Sequence, residues 1–194
     1  QVALAIAGKI YGKLVTVFMN RDNYWTNIRA KTYGCNIIVD PIATLSQLQE
    51  RASKYAAEGD RYVVPFGLDS AEFRAELELR IIEAMRDARL SRDFAGTIWL
   101  VAGSGTLVNV LYKVFPVARF GLVQVGRKIW DDQIEGDRTK LFVAPEKFYK
   151  DAEILPPYPH ASTYDAKLWR YVVEHGVDGD VIWNVAGRAK LGKK

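Results

Sequence analysis

The sequence predicts an α/β protein with mainly parallel sheets and helices on both faces, a three-layer sandwich. Three observations support this fold class. Apolar segments rich in β-branched residues alternate with segments of helical periodicity. Two of the apolar segments, 97–102 and 180–185, lack polar alternation, which is typical of strands buried on both faces. A glycine-rich turn directly follows the first of them, as in many strand-to-helix connections of parallel sheets.

The elements follow from local patterns along the chain. Strands are predicted over residues 14–19, 36–40, 97–102, 119–125 and 180–185, and a short extended piece over 61–66. Helices are predicted over 1–11, 23–33, 45–58, 70–90, 106–115 and 163–175. Residues 126–162 carry prolines and charges without periodicity, which predicts a long irregular segment. We expect a smaller Rossmann-like α/β lobe over 1–66 and a larger lobe over 67–194.

Composition limits the functional classes. The 194 residues carry a net charge of only +4, and only the tail 188–194 is a basic cluster. We therefore expect no nucleic-acid partner from charge, although this class stays open as an alternative. No segment has the pattern of a membrane span. The single cysteine, Cys35, fits a reducing compartment, so we expect a cytoplasmic protein. With two histidines and no metal-ligand spacing, no metal site is predicted.

The turn Gly103-Ser104-Gly105-Thr106 is the strongest functional candidate. Glycines allow close backbone approach, and the first amides of the following helix have no internal partner, so a phosphate would be bound there. The other interpretation is a tight turn with Thr106 as helix N-cap. Since ligands of parallel sheets bind at the carboxyl ends of strands, Asn184, after the last strand, is a second candidate contact.

Four segments resemble fold-type II pyridoxal-phosphate enzymes, the tryptophan synthase β superfamily, and mostly its aminocyclopropane-carboxylate deaminase and D-cysteine desulfhydrase branch. Residues 1–12 are similar to the helix after the family's Ser-Gly-Asn loop, and 31–38 to its passage from a lysine through a helix end to a strand. Residues 62–67 resemble the Pro-x-Gly segment before a long helix. Residues 101–107 resemble the loop that binds the cofactor phosphate.

The resemblance implies pyridoxal 5'-phosphate as cofactor and a lyase or deaminase reaction on a small amino acid, in a protein that we expect to be a homodimer. It implies Gly103, Ser104, Gly105 and Thr106 as phosphate contacts and Asn184 as a contact of the ring or a ligand. The family's catalytic lysine would precede Gln1, so the chain is expected to be truncated, and we assign no catalytic residue. Pyridoxal phosphate is therefore expected only if a preceding part supplies the lysine.

Two departures leave alternatives open. Val185 and Ala186 stand where the deaminase branch has a tyrosine and the partner of the pyridine nitrogen, so a non-catalytic relative that retains the fold for binding or assembly is one alternative. Residues 183–185 resemble a variant of phage-type members, some of which are linked to nucleic-acid base modification. An accessory enzyme of that modification is the other alternative.

Overall fold

The computed structural model describes residues 1–21, 24–126, 128–129 and 133–185 and separates into two units, Gln1–Phe66 and Gly67–Lys194. The tail 188–194 and the candidate position Ala186 lie outside the described residues. In the described part of the chain, no helix combines the length and apolar character needed to span a membrane.

The first unit is a two-stranded parallel sheet with helices on both faces. Its elements are α1 (Val2–Ile10), β1 (Thr16–Met19), α2 (Tyr24–Thr32), β2 (Asn36–Val39) and α3 (Leu45–Ala57). Val17 of β1 packs with Ala5 and Ala30 of α1 and α2, whereas the next residue, Phe18, packs edge-to-face on Tyr55 of α3. Because successive side chains of a strand point to opposite faces, these contacts place α3 opposite α1 and α2.

The second unit is a four-stranded parallel sheet in the order β5-β4-β3-β6. Its elements are α4 (Ala71–Asp87), β3 (Thr97–Ala102), α5 (Thr106–Val114), β4 (Arg119–Gln124), β5 (Thr139–Val143), α6 (Trp169–His175) and β6 (Val181–Trp183). Short 3-10 helices cover Phe66–Leu68, Gly136–Arg138 and Asp165–Leu168.

Strand β3 lies at the centre of this core. Its side chains alternate between the two faces, so Ile98 and Leu100 pack with α4 and α5, whereas Trp99 and Val101 pack with Leu168 and α6. Residues 98–102 are all buried, and the predicted α/β class with parallel sheets between helix layers is confirmed.

Several predicted boundaries are wrong. Residues 126–162 are not irregular throughout, because they contain β5, which lies at the sheet edge with Lys140, Leu141 and Val143 exposed. The predicted helix 163–175 begins as the 3-10 helix Asp165–Leu168, and Thr163 is not its cap. Of the predicted extended piece 61–66, residues 61–65 lie in no helix or strand, and only Phe66 departs from the prediction because it begins a 3-10 helix. Helix α5 takes Gly105, not Thr106, as N-cap, because Gly105 adopts φ 85°.

Candidate functional site

The predicted glycine loop connects β3 to α5 at the carboxyl end of the central strand. Gly105 has φ 85°, a left-handed conformation that glycine adopts without steric cost, and α5 starts at the next residue. The amides of the first helical turn have no partner within the helix, and the helix dipole adds partial positive charge at the same place. Anion sites at helix N-termini use amides and a helix dipole in this way. Binding of a phosphate at this loop stays a prediction.

Two hydroxyl groups lie together at this loop. Ser104 Oγ is 3.2 Å from Thr106 Oγ1, and either atom can donate in the hydrogen bond between them. Thr106 is only 3% exposed, whereas Ser104 is half-buried. Four of the five candidate residues are thus consecutive in the loop, and two of them carry hydroxyl groups that lie within hydrogen-bond distance of each other.

Gly67 contacts this hydroxyl pair from a second segment. A Cβ built on Gly67 would lie 2.4 Å from Ser104 Oγ and 3.0 Å from Thr106 Oγ1, so no larger residue fits without displacement. Gly67 has φ 71° and Leu68 has φ 57°, which makes two consecutive left-handed residues beside the loop. Residues 62–67 stood out in the sequence only through the family resemblance.

Sequence reasoning missed two further residues at the loop. Gln133 Nε2 is 3.5 Å from the carbonyl oxygen of Ser104 and would be 3.1 Å from a Cβ on Gly105. The hydroxyl oxygen of Tyr164 would be 2.9 Å from a Cβ on Gly103. Gln133 belongs to no periodic segment, whereas Tyr164 lies at the start of the predicted helix 163–175. Both approach the loop from sequence distances of about 30 or more residues, so no local pattern signals their contact with it.

Asn184 directly follows β6, the parallel neighbour of β3. Its side chain is exposed, and Nδ2 donates a hydrogen bond to the carbonyl oxygen of Pro159 in the proline-rich segment. The strand pairing places Asn184 at the same sheet edge as the glycine loop. Its contact with a cofactor or ligand stays a prediction.

Lys9 and Lys31 lie in the first unit, and Lys167 is buried in the second. Lys9 belongs to α1, where its ammonium group lies over the ring of Tyr33, and Lys31 belongs to α2. Lys167 is 1% exposed, and its Nζ donates to the carbonyl oxygens of Lys147 at 2.9 Å and Glu146 at 3.4 Å. Burial lowers the pKa of Lys167, against the opposing effect of the Glu146 and Asp151 carboxylates.

The residues of the loop fit a phosphate monoester. Two hydroxyl donors stand beside a helix N-terminus. The glycines at positions 67, 103 and 105 let the side chains of Ser104, Tyr164 and Gln133 pack close against the backbone there. Among the described residues, no group of three or more His, Cys, Asp or Glu side chains could hold a metal ion. Hydroxyl and amide groups donate hydrogen bonds, so the donors of this loop suit an oxyanion.

Comparisons by sequence find no match, either to models of protein families or to curated proteins. Comparison with solved structures does find matches. Diaminopropionate ammonia lyase from Escherichia coli superposes with a TM-score of 0.66 at 12% identity, over 96% of this chain and 62% of that protein. A hydrogen sulfide-producing enzyme (Fn1220) from Fusobacterium nucleatum superposes with a TM-score of 0.63 at 14% identity, over 95% of this chain and 72% of that protein. A second hydrogen sulfide-producing enzyme (Fn1055) superposes with a TM-score of 0.66 at 14% identity, over 99% of this chain and 69% of that protein.

These matches define the class of fold. The neighbours are fold-type II pyridoxal-phosphate enzymes, and this chain has their fold, which confirms the fold that the resemblance predicted. The chain spans 62% to 72% of the length of these three structures. At 12% to 14% identity, the structural likeness shows the fold alone and neither the reaction nor the substrate of this chain.

Proposed function

We propose that this chain carries the phosphate-binding half of a pyridoxal-phosphate-dependent lyase or deaminase site that acts on a small amino acid. The observation that supports it is the hydroxyl pair of Ser104 and Thr106 at the N-terminus of α5, at the carboxyl end of the buried central strand. When bound, pyridoxal phosphate supplies the electron sink for such reactions.

Each residue of the loop has a defined task in this proposal. The amides of the first turn of α5 and the hydroxyls of Ser104 and Thr106 donate to phosphate oxygens. Gln133 donates to the carbonyl oxygen of Ser104 and so fixes the peptide between Ser104 and Gly105. Asn184 orients the ring or a bound ligand from the neighbouring strand. We assign the covalent amine of the cofactor chemistry to no lysine of this chain.

The first experiment measures binding of pyridoxine 5'-phosphate by titration calorimetry. This probe lacks the aldehyde and so cannot react with surface lysines, and pyridoxine without the phosphate is its control. We expect the phosphate ester to bind, inorganic phosphate to compete, and Ser104→Ala with Thr106→Ala to weaken binding at least tenfold, since each removes a donor to a charged oxygen.

The matched control is Ser91→Ala, which removes an exposed serine hydroxyl from the turn after α4. Its affinity should equal that of the wild type. Equal binding of pyridoxine and its phosphate ester, or unchanged affinity in the double variant, would refute the proposal.

A non-catalytic relative is the second candidate. Val185, half-exposed after β6, stands where the deaminase branch carries a tyrosine. Tight binding of the phosphate ester combined with no elimination or deamination of small amino acids would favour this candidate.

Homodimer formation is a further proposal, which light scattering after size-exclusion chromatography would test. The nucleic-acid alternative rests on the resemblance of residues 183–185. The basic cluster 188–194, whose deletion would test it, lies outside the described part of the chain.

A further inference from the structure

Two glycines make room for two aromatic side chains at the carboxyl edge of the larger sheet. Gly103 follows β3, and Gly126 comes two residues after its parallel neighbour β4. A Cβ on Gly103 would lie 2.9 Å from the hydroxyl oxygen of Tyr164. A Cβ on Gly126 would lie 3.0 Å from Cδ2 of Phe148. The two aromatic residues therefore lie against the ends of adjacent strands.

The two rings also contact each other. Their centroids are 6.4 Å apart with an interplanar angle of 72°, an edge-to-face arrangement. The pair thus spans the edge where ligands of parallel sheets bind. Tyr164 has the hydroxyl at the glycine loop, and Phe148 supports its ring from the β4 side.

Backbone hydrogen bonds and the buried side chain of Lys167 hold the segments on both sides of this pair. The amide of Tyr164 donates to the carbonyl oxygen of Ala161 at 3.0 Å, and the carbonyl oxygen of Tyr164 accepts from the amide of Lys167 at 3.1 Å. The ammonium group of Lys167 in turn donates to the carbonyl oxygen of Lys147, the residue before Phe148. One buried lysine therefore links the two segments that present the rings.

The Tyr164 hydroxyl is a hydrogen-bond donor over the whole physiological range. Burial, and secondarily the nearby Asp165 carboxylate, raises the pKa of Tyr164 to about 12. A protonated phenol donates to a charged oxygen but does not repel it, whereas a phenolate would.

We propose that Tyr164 is a ligand-positioning residue of the glycine loop, whose hydroxyl donates a hydrogen bond to the anionic group bound there while Phe148 holds its ring in place. Nothing in the loop sequence indicates this residue; the contact arises from the folding of residues 144–168 over the strand ends. The inference rests on the proposed function, because it requires a phosphate-bearing ligand at residues 103–106.

The test measures the affinity of pyridoxine 5'-phosphate for the full chain and for Tyr164→Phe, with thermal melts of both. We expect about tenfold weaker binding, the loss of one hydrogen bond to a charged oxygen, at an unchanged melting temperature. Tyr171→Phe is the matched control, because its hydroxyl donates to the carbonyl oxygen of Val143 at 2.8 Å instead. Its affinity should equal that of the wild type.

A double-variant cycle keeps the test decisive if one variant is unstable. Gly103→Ala should weaken binding in the wild-type background, because the new Cβ displaces the hydroxyl. In the Tyr164→Phe background the same change should cost little more, since the nearest ring carbons would be 3.8 Å away. Equal affinity of Tyr164→Phe and wild type would overturn the role of Tyr164. So would losses of binding free energy from Tyr164→Phe and Gly103→Ala that simply add in the double variant. Absence of wild-type binding would instead overturn the proposed function.

Discussion

At the residue scale, the candidate site is built from backbone conformations that few side chains tolerate. Gly67, with φ 71°, and Leu68, with φ 57°, are consecutive residues beside Ser104, and Gly105 has φ 85°. A left-handed conformation costs a non-glycine residue about 1 kcal/mol or more, so Leu68 is held there by its surroundings. Strain of this kind is common where a turn must approach a ligand loop.

The first prediction concerns Gly67. Gly67→Ala should lower the free energy of unfolding by about 3 kcal/mol, because the Cβ adds a clash with Ser104 to the left-handed strain. Gly179→Ala is the control: Gly179 also has positive φ, at 92°, but nothing lies within 4 Å of its Cβ position, so only about 1 kcal/mol should be lost. Urea denaturation measures both, and equal losses would contradict the clash.

The second prediction concerns Asp180 and pH. Its carboxylate accepts hydrogen bonds from Trp99 Nε1 at 2.8 Å and from the amides of Thr97 and Val177 at 3.1 Å. Burial alone would raise the pKa of Asp180, but these hydrogen bonds outweigh it and lower the pKa below its ordinary value. A lowered pKa in the folded state stabilises the protein above the unfolded pKa of about 4, and this stabilisation is lost as pH falls through the folded pKa.

Asp180→Asn should therefore cost about 2 kcal/mol at pH 7 and progressively less as pH falls below 4. Urea titrations at pH 7, 5 and 3 measure the difference between variant and wild type. Asp178→Asn, at an exposed position two residues earlier, should change stability by less than about 0.5 kcal/mol. A pH-independent difference for Asp180→Asn would exclude the carboxylate as its source.

Which site residues the sequence reveals depends on how local their contacts are. Ser104 and Thr106 are visible because strand, glycines and helix follow one another within ten residues. Three residues reach the strand ends only through long-range packing: Gln133 and Phe148 from the segment 126–162, which has no periodicity, and Tyr164 from the start of the predicted helix 163–175. A pattern search along the chain cannot detect such contacts, since no residue type at these positions is required by local geometry.

At the element scale, the predictable elements are those whose burial pattern matches a period. Helix α3 shows its capping box in the sequence, where Thr44 accepts from the amide of Gln47 and the Gln47 side chain accepts from the amide of Thr44. Strand β5 lies at the sheet edge with Lys140 and Leu141 both exposed, so it has neither the apolar run of β3 nor a clean alternation. Its existence follows from pairing with β4.

Helix α5 holds the glycine loop at its N-terminus, and Arg138 caps its opposite end. The guanidinium group donates to the carbonyl oxygens of Tyr112 at 2.9 Å, Phe115 at 2.5 Å and Ala118 at 3.2 Å. It also lies over the rings of Tyr112 and Phe120. Its side chain is only 17% exposed, so these carbonyl groups would otherwise be poorly solvated.

The third prediction follows from this cap. Arg138→Met should lower the free energy of unfolding by about 3 kcal/mol, because three carbonyl oxygens lose a charged donor while the apolar stem is retained. Arg80→Met is the control: its ion pairs with Glu76 and Glu83 are exposed, so this change should cost far less stability than Arg138→Met. Urea denaturation followed by circular dichroism gives both values, and similar losses would show that Arg138 is no more than a surface cation.

At the scale of the whole molecule, the two units differ in the cores that stabilise them. The first unit has two four-residue strands, and its buried cluster consists of the small side chains Ala5, Ala30 and Cys35. The second has four strands and a cluster that includes Leu100, Phe115 and Leu122, each at 0% exposure. Buried apolar area stabilises in proportion to its size, and a two-stranded sheet is marginal by itself. We therefore expect the units to open at different free energies.

The last prediction uses Cys35, the single cysteine of the chain, as a reporter of the first unit. Its thiol is 6% exposed and donates to the carbonyl oxygen of Asn36, and burial raises its pKa, so alkylation requires opening. Pulsed alkylation with iodoacetamide over a urea series should show labelling at lower urea than the loss of hydrogen-exchange protection in β3, whose residues 98–102 are buried. Labelling in full denaturant calibrates the intrinsic rate. If Cys35 alkylation and the loss of exchange protection in β3 occur at the same urea concentration, the two units unfold as one cooperative body. A ligand bound at the glycine loop would then protect Cys35 from alkylation as strongly as it protects β3 from exchange.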